Sequence, residues 1–332
     1  MLTSISSRSR VRAAARACWL IVCASAPLCQ AGVLLNDSWT DGDRTNTALP
    51  NDSATYVGVS TSDGGALNVV PGALQNVMGT SSRKNWTYFT SNLSVPDGNL
   101  PHNAVTHLNV GDTLKASLTF TLPNGATSAS TSKDFRFGLF TDPTDPRVQT
   151  DVNSDGGGGT NPWQDETGYA VQMPLNGTAT NASPFQIVKR TVSNTSLLGS
   201  SGAFTNAPTG GAVYSNAANT SYTVSLAMNM VSASQVDVTA TLMQGTTVLA
   251  SQTVSDLGAT FGGTAVAAGG LPGSQSVYRD FDHLFFRMSS NSETSQIDFT
   301  NWKIELTSAN DAVSARRCAN APRTPSETGV SQ

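Results

Sequence analysis

Between positions 280 and 288 the chain alternates, with Asp282, Leu284, Phe286 and Met288 on one side of an extended strand and Phe281, His283, Phe285 and Arg287 on the other. His283 and Arg287 therefore project from one face, a proton acceptor on the same strand as a fixed cation. Arg136, Tyr169 and Gln172 sit in further extended stretches, and Arg83, Trp86 and Tyr88 in another. Aromatic rings beside Arg, Gln and His side chains match a sugar, which offers an apolar ring face and a hydroxylated edge. The same groups suit β-elimination from a uronate: Arg136 or Arg287 neutralises the carboxylate, and His283 or Tyr169 takes the proton alpha to it. Two plainer readings stand beside these. Trp86 and Trp302 read as core, and Arg136 and Arg287 read as cross-strand partners of Asp134 or Asp282.

Other chemistries lack their residues. Glu166, Glu293, Glu305 and Glu327 are the only glutamates and are widely separated, which removes the paired glutamates of a retaining glycosidase. No Gly-x-Ser-x-Gly elbow occurs, and His102, His107 and His283 have no metal partner at sequence spacing. Asp151-Val152-Asn153-Ser154-Asp155-Gly156 matches the first half of a calcium loop, but Pro162 stands where the closing Glu is required, so it reads as a solvated loop.

These candidates need strands to carry them, and the composition supplies strands. Only 13% of the 332 residues are charged, about half the usual fraction, and Ser, Thr, Asn and Gly take the place of helix-forming Glu and Lys. Thr113 to Leu122 buries Leu114, Ala116, Leu118, Phe120 and Leu122 on one face and leaves Lys115, Ser117, Thr119 and Thr121 on the other, wet or ligand-facing. A meander follows the same logic through Tyr222 to Met230, Val236 to Leu242 and Thr247 to Val254. Further strands are expected at 66–70, 73–78, 86–90, 134–141, 168–173, 185–191, 277–288 and 295–306, with long loops at 156–159 and 262–273. About a dozen strands with Gly, Asn, Pro and Asp turns make an all-β, two-sheet antiparallel sandwich.

The N-terminus carries Arg8, Arg10, Arg12 and Arg16, an apolar stretch from Cys18 to Leu28, and small residues at Ala31. That order is a secretory signal peptide over residues 1–31, too short in its apolar part to anchor in a bilayer. Val22 and Leu28 precede Cys23 and Cys29, where a lipoprotein would need small residues. Cleavage takes the formal charge from −4 to −8 and leaves Cys318 alone, so no disulfide, thiol catalysis or Cys-based metal site is expected. A negative chain without a basic cluster is a poor partner for nucleic acid or an anionic membrane. Residues 32–308 read as one domain and a monomer, secreted or periplasmic, with 309–332 a disordered tail.

Several segments carry a resemblance. Asn36-Asp37-Ser38-Trp39-Thr40-Asp41-Gly42-Asp43-Arg44-Thr45, Ser81-Ser82-Arg83, Thr87 to Thr90, Phe135 to Phe140, Gly168-Tyr169-Ala170 and Ile297 to Glu305 resemble exported bacterial jelly-roll domains of the concanavalin A-like or laminin G-like kind. Such domains occur in proteins with a PEP-CTERM-type sorting tail, whose Pro-Glu-Pro motif and apolar helix do not appear before Gln332. The resemblance implies a jelly-roll sandwich and a structural calcium joining the first and last strands through Asp41, Asp43 and Asp298. The spaced motifs of jelly-roll alginate lyases, Arg-Glu-Arg, Gln-Ile-His and Tyr-Lys-Gly-Tyr, are missing. The leading expectation is a secreted carbohydrate-binding protein acting on a polysaccharide. A uronate-cleaving polysaccharide lyase using His283, Tyr169, Arg136 and Arg287, and a structural or adhesive envelope protein, are the alternatives. Arg83, Trp86, Tyr88 and Gln172 are the expected substrate contacts.

Overall fold

A computed structural model describes residues 32–309 except 60–62, 92–103, 128–131, 142–146, 153–162, 180–181, 200 and 290–292. The expected leader, the tail beyond 309, His102 and most of the calcium-like loop lie outside the described residues.

The alternating segments all form strands. In chain order these are β1 (Gly32–Asp37), β2 (Thr55–Gly58), β3 (Ala66–Val70), β4 (Ala73–Val77), β5 (Arg83–Tyr88), β6 (Thr106–His107), β7 (Thr113–Thr121), β8 (Phe135–Thr141), β9 (Thr167–Met173) and β10 (Gln186–Arg190). They continue with β11 (Phe204–Asn206), β12 (Tyr222–Ser232), β13 (Gln235–Gln244), β14 (Thr247–Asp256), β15 (Thr260–Phe261), β16 (Thr264–Ala265), β17 (Asp280–Phe281), β18 (His283–Met288) and β19 (Gln296–Thr307).

Two antiparallel sheets form a sandwich, the jelly-roll architecture expected from the sequence. The larger has ten strands in the order β16-β15-β14-β13-β12-β7-β19-β4-β3, with β1 also on β19. The smaller has seven, β11-β10-β9-β8-β18-β5-β2, and β17 pairs with β6 in a separate ribbon. The chain crosses repeatedly between layers, as in β4 to β5, β7 to β8 and β18 to β19, so neither sheet folds without the other. The expected 277–288 strand is broken at Asp282, because β17 leaves the sheet to pair with β6. The β13–β14 turn has only two residues, and Gly245 there takes φ +57°, which glycine adopts without steric cost.

Between the sheets lies the principal core. Leu114, Ala116, Leu118 and Phe120 of β7 pack with Phe135, Phe137 and Leu139 of β8, Leu284, Phe286 and Met288 of β18, and Phe299, Trp302 and Ile304 of β19. Burying each large apolar side chain contributes about 1.5–3 kcal/mol. One polar cluster joins the layers inside this core. Lys189 Nζ of β10 lies 2.8 Å from Asp256 Oδ2 of β14, Tyr169 of β9 donates its hydroxyl proton to the same carboxylate at 2.5 Å, and all three side chains are fully buried.

The cluster predicts an ordered pair of effects. Asp256→Ala strands a buried ammonium and is expected to cost about 3–5 kcal/mol. Tyr169→Phe removes the charge-assisted hydrogen bond to Asp256 and leaves the Tyr278 N–H without its acceptor, together about 2–4 kcal/mol. Urea unfolding measures both, and a loss under about 1 kcal/mol for Asp256→Ala contradicts the cross-sheet role.

Candidate functional site

The outer face of the smaller sheet collects most of the expected site residues. Register places them in rows across adjacent strands. One row runs Lys84 (β5), Arg287 (β18), Arg136 (β8), Gln172 (β9), Gln186 (β10). The next runs Tyr56 (β2), Trp86, Phe285, Gly138, Ala170, Val188, and the third contains Tyr88, His283, Phe140 and Gly168. Polar, aromatic and mixed rows thus follow one another along the strands.

The middle of this face is not open. Trp163 packs edge-on against Trp86 and Phe285 at 5.2 Å from each, and Leu197, Leu198, Ala203 and Phe204 complete a second apolar cluster. The smaller sheet is therefore largely buried on both faces, unlike the larger sheet, whose β7 and β12–β14 keep the one wet face expected for them. Trp86 is fully buried, its indole N–H donating to the Val148 carbonyl at 2.8 Å, in line with the core reading.

His283 is sealed under the same cover. Its Nδ1 lies 2.7 Å from Asp282 Oδ1 and its Nε2 3.4 Å from Glu166 Oε2, with the Tyr88 ring 5.4 Å away. Arg287 is four residues along the strand, about 13 Å distant at the usual rise. Tyr169 points into the inter-sheet core, its hydroxyl held by Asp256 and by the Tyr278 N–H. Arg83 likewise faces inward and pairs with Asp63 at 2.7 Å. The structure therefore brings His283, Arg287, Arg136, Gln172, Trp86 and Tyr88 to one face, leaves Tyr169 and Arg83 on the other, and does not assemble a base and a carboxylate-neutralising cation at one point.

At the polar row, two guanidinium groups converge. Arg136 Nη1 and Arg287 Nη1 both donate to the Leu198 carbonyl, at 2.9 and 3.1 Å, and Arg136 Nε donates to the Lys133 carbonyl at 2.8 Å. Burial, then Arg287, pushes Lys84 down to about 7, and burial, then Arg136, pushes Arg287 down to about 10. Asp134 opposes the effect of burial on both arginines electrostatically, and Glu293 does so at Arg136.

The opposite end of the face holds an open recess of about 270 Å³. Tyr56 and Tyr88 form apolar walls, and Arg147, Gln149, Thr47, Ser53 and Thr90 add polar groups. The Arg147 guanidinium stacks on Tyr88 with its carbon 4.6 Å from the ring centroid, donates to the Thr90 carbonyl at 2.7 Å, and lies 3.5 Å from Asp282. Of these residues only Tyr88 was marked by the sequence reading. Tyr56 lies in β2, too short to show alternation, and Arg147 lies in a loop.

The three expected calcium ligands do not form a donor set. Asp41 accepts from the Asp43 N–H and Asn46, Asp43 from Thr45, and Asp298, on the outer face of the larger sheet, from Gln296 at 2.6 Å. Among the described residues no group of three or more His, Cys, Asp or Glu side chains is placed to hold a metal. Asp151, at the head of the calcium-like loop, is held by Arg44 at 2.6 Å.

No family model and no curated protein matches the chain. Among solved structures it is similar to the VIP36 exoplasmic/lumenal domain in its Ca2+/Man-bound form, at 9% identity over 83% of this chain and 91% of that one, with a TM-score of 0.43. Lectin I from Ulex europaeus, in complex with the methyl glycoside of alpha-L-fucose, is 11% identical over 79% and 95% of the two chains, TM-score 0.38. Peanut lectin with a 9mer peptide is 12% identical over 77% and 98%, TM-score 0.35. The fold assignment rests on the sheet order above.

The acidic turn behind the recess makes a pH prediction. Asp37 is pushed up to about 7, chiefly by burial, with Asp52 and Asp41 adding repulsion. Its folded pKa lies above the unfolded value, so the folded state gains from the bound proton below about pH 4 and loses that advantage as pH rises to about 7. Asp37→Asn should flatten this part of the stability-versus-pH curve. An unchanged slope between those limits in thermal melts contradicts the assignment. Because Asp41, Asp43 and Asp298 are not gathered, Asp298→Asn should leave the melting midpoint in the presence of calcium unchanged, whereas loss of a calcium-dependent midpoint in that variant would restore the expected ligand set.

Proposed function

We propose that the protein is an exported glycan-binding module whose sugar subsite is the recess between Tyr56, Tyr88 and Arg147. The observation that carries this reading is the composition of that recess. Two tyrosine walls supply apolar surface for a pyranose face, and the Gln149 amide and the hydroxyls of Thr47, Thr90 and Ser91 line it to meet sugar hydroxyls, while the buried Arg147 guanidinium holds Tyr88 and Thr90 in place. Its volume of about 270 Å³ suits one sugar ring, so an extended polymer engages it through a terminal or protruding residue.

Binding, rather than bond cleavage, fits the rest of the face. The groups expected to catalyse β-elimination are split between the two faces of the sheet, with His283 sealed from solvent. Export follows from the residues 1–31 pattern, and the binding reading accords with a chain that has no net positive charge to recruit nucleic acid.

Affinity electrophoresis of the full chain in gels containing plant, algal and bacterial polysaccharides tests the reading. At least one polymer should retard migration, and Tyr56→Ala should weaken that retardation by about three- to tenfold, the worth of one aromatic contact. A Tyr56→Ala variant with unchanged melting and unchanged retardation contradicts the subsite, and retardation by no polymer contradicts the function.

A further inference from the structure

The buried cluster between the sheets brings an amine against a carboxyl group. Lys189 Nζ lies 3.0 Å from Asp256 Oδ1 and 2.8 Å from Oδ2, so the nitrogen faces the carboxyl carbon rather than one oxygen alone. Both side chains are fully buried, Lys189 on β10 of the smaller sheet and Asp256 on β14 of the larger. The other acceptors around Nζ are the carbonyls of Ser276 at 2.8 Å and Gly258 at 3.5 Å. An ammonium has three protons to give. Once one passes to the carboxylate, the other two stay on those carbonyls and the freed lone pair faces Asp256. Burial favours this transfer at both partners, pushing the Asp256 carboxyl up and the Lys189 ammonium down.

The two carboxyl oxygens are held by different donors. The Gly258 N–H donates to Oδ1 at 2.8 Å, where charge collects when the carbonyl is attacked. Tyr169 donates its hydroxyl proton to Oδ2 at 2.5 Å, where a leaving oxygen needs one, and the Tyr278 N–H fixes the phenol from behind at 2.9 Å. Gly258 takes φ +77°, and a Cβ there would lie 2.5 Å from the Gln275 carbonyl oxygen, so the turn that aims this N–H requires glycine. A turn of the carboxyl about Cβ–Cγ, a soft torsion, presents its face to the lone pair. The buried pairs Arg83–Asp63 and Arg147–Asp282 offer no such chemistry, because a guanidinium keeps its protons. Ser276 also lines two recesses of about 360 Å³, one shared with Tyr278 and one with Gly258, which gives a released water an exit.

We propose that Lys189 and Asp256 condense to an intramolecular amide that staples the two sheets together. Nζ bonds to Cγ, and the Cγ–Oδ2 bond breaks. Oδ2 leaves as water with two of the three ammonium protons, and the third stays on the amide nitrogen. Tyr169 protonates the departing Oδ2 and is reprotonated from the nitrogen through that same water, so the phenol ends unchanged. Fixed contact supplies the driving force that free acid and amine lack in water, well-oriented groups reaching effective concentrations of about 10⁵ M or more. The ion pair is the state of the freshly folded chain, and the amide follows from it. Residues 32–332 hold one cysteine, Cys318, so this staple takes the place of an intramolecular disulfide in that part of the chain.

The intact mass of the full chain, taken on fresh refolding and after incubation of the folded protein at neutral pH, tests the proposal. The mass should fall by one water, and trypsin should then leave the chain uncut after Lys189 and release a branched peptide joining Lys189 to Asp256. Lys189→Met and Asp256→Ala should keep their full sequence mass, and Tyr169→Phe should lose water at least about a hundredfold more slowly, the worth of a positioned acid. The wild-type mass and the branched peptide decide even where a variant fails to fold. A folded wild-type chain that keeps its full mass, or that loses water without the branched peptide, overturns the proposal. Folded Tyr169→Phe condensing at the wild-type rate overturns the role given to Tyr169.

Discussion

The smaller sheet is buried on both faces, and most of the protein's unusual chemistry follows from that constraint. A strand such as β18 has no wet side: Leu284 and Phe286 meet the larger sheet, while His283 and Phe285 meet Trp163 and the Leu197–Phe204 cover. Polar groups on the outer face had to be paired when they were covered, because an unpaired buried charge costs several kcal/mol. His283 with Asp282, and Arg190 with the carbonyls of Trp163 and Asn194, are the result. The cover also divides the face, leaving a recess at one end and the cationic row at the other.

Buried cations are treated differently in the two layers. Between the sheets, Lys189 meets Asp256, a pair that also captures the Tyr169 hydroxyl and so locks β9, β10 and β14 together. Inside, Arg83 is likewise held by the buried Asp63, while at the rim the more exposed Arg44 holds Asp151. At the outer row, Arg136 and Arg287 sit side by side and share a backbone carbonyl.

The sequence showed the sandwich clearly where one face was buried and the other polar. β7 and β13 alternate throughout, β12 as far as Met230 and β14 from Ala250 onward, and these strands lie where the period predicts. Parity also placed His283 and Arg287 on a common face. Parity was legible at β9 as well, where Tyr169 shares its side with the apolar Val171 and Met173 and Gln172 takes the other, so Tyr169 and Gln172 could not both meet one ligand. β5 was read from Trp86 onward, which hid Lys84, although extending the strand to Arg83 assigns Lys84 to the face of Trp86 and Tyr88. The cover was illegible because Trp163 and Leu197-Leu198 lie in loops, where apolar residues carry no period. Those same loops determine which residues can meet a ligand.

The proposed subsite lies at the recess between Tyr56 and Tyr88 and not over the covered middle of the face. A crystal structure of the full chain with an oligosaccharide from the tightest-binding polymer tests it most directly. Sugar density against Tyr56 and Tyr88, with Trp163 still packed on Phe285, is the predicted result. Sugar lying over Phe285 with Trp163 displaced, or on the hydroxyl-rich outer face of the larger sheet, would contradict the account.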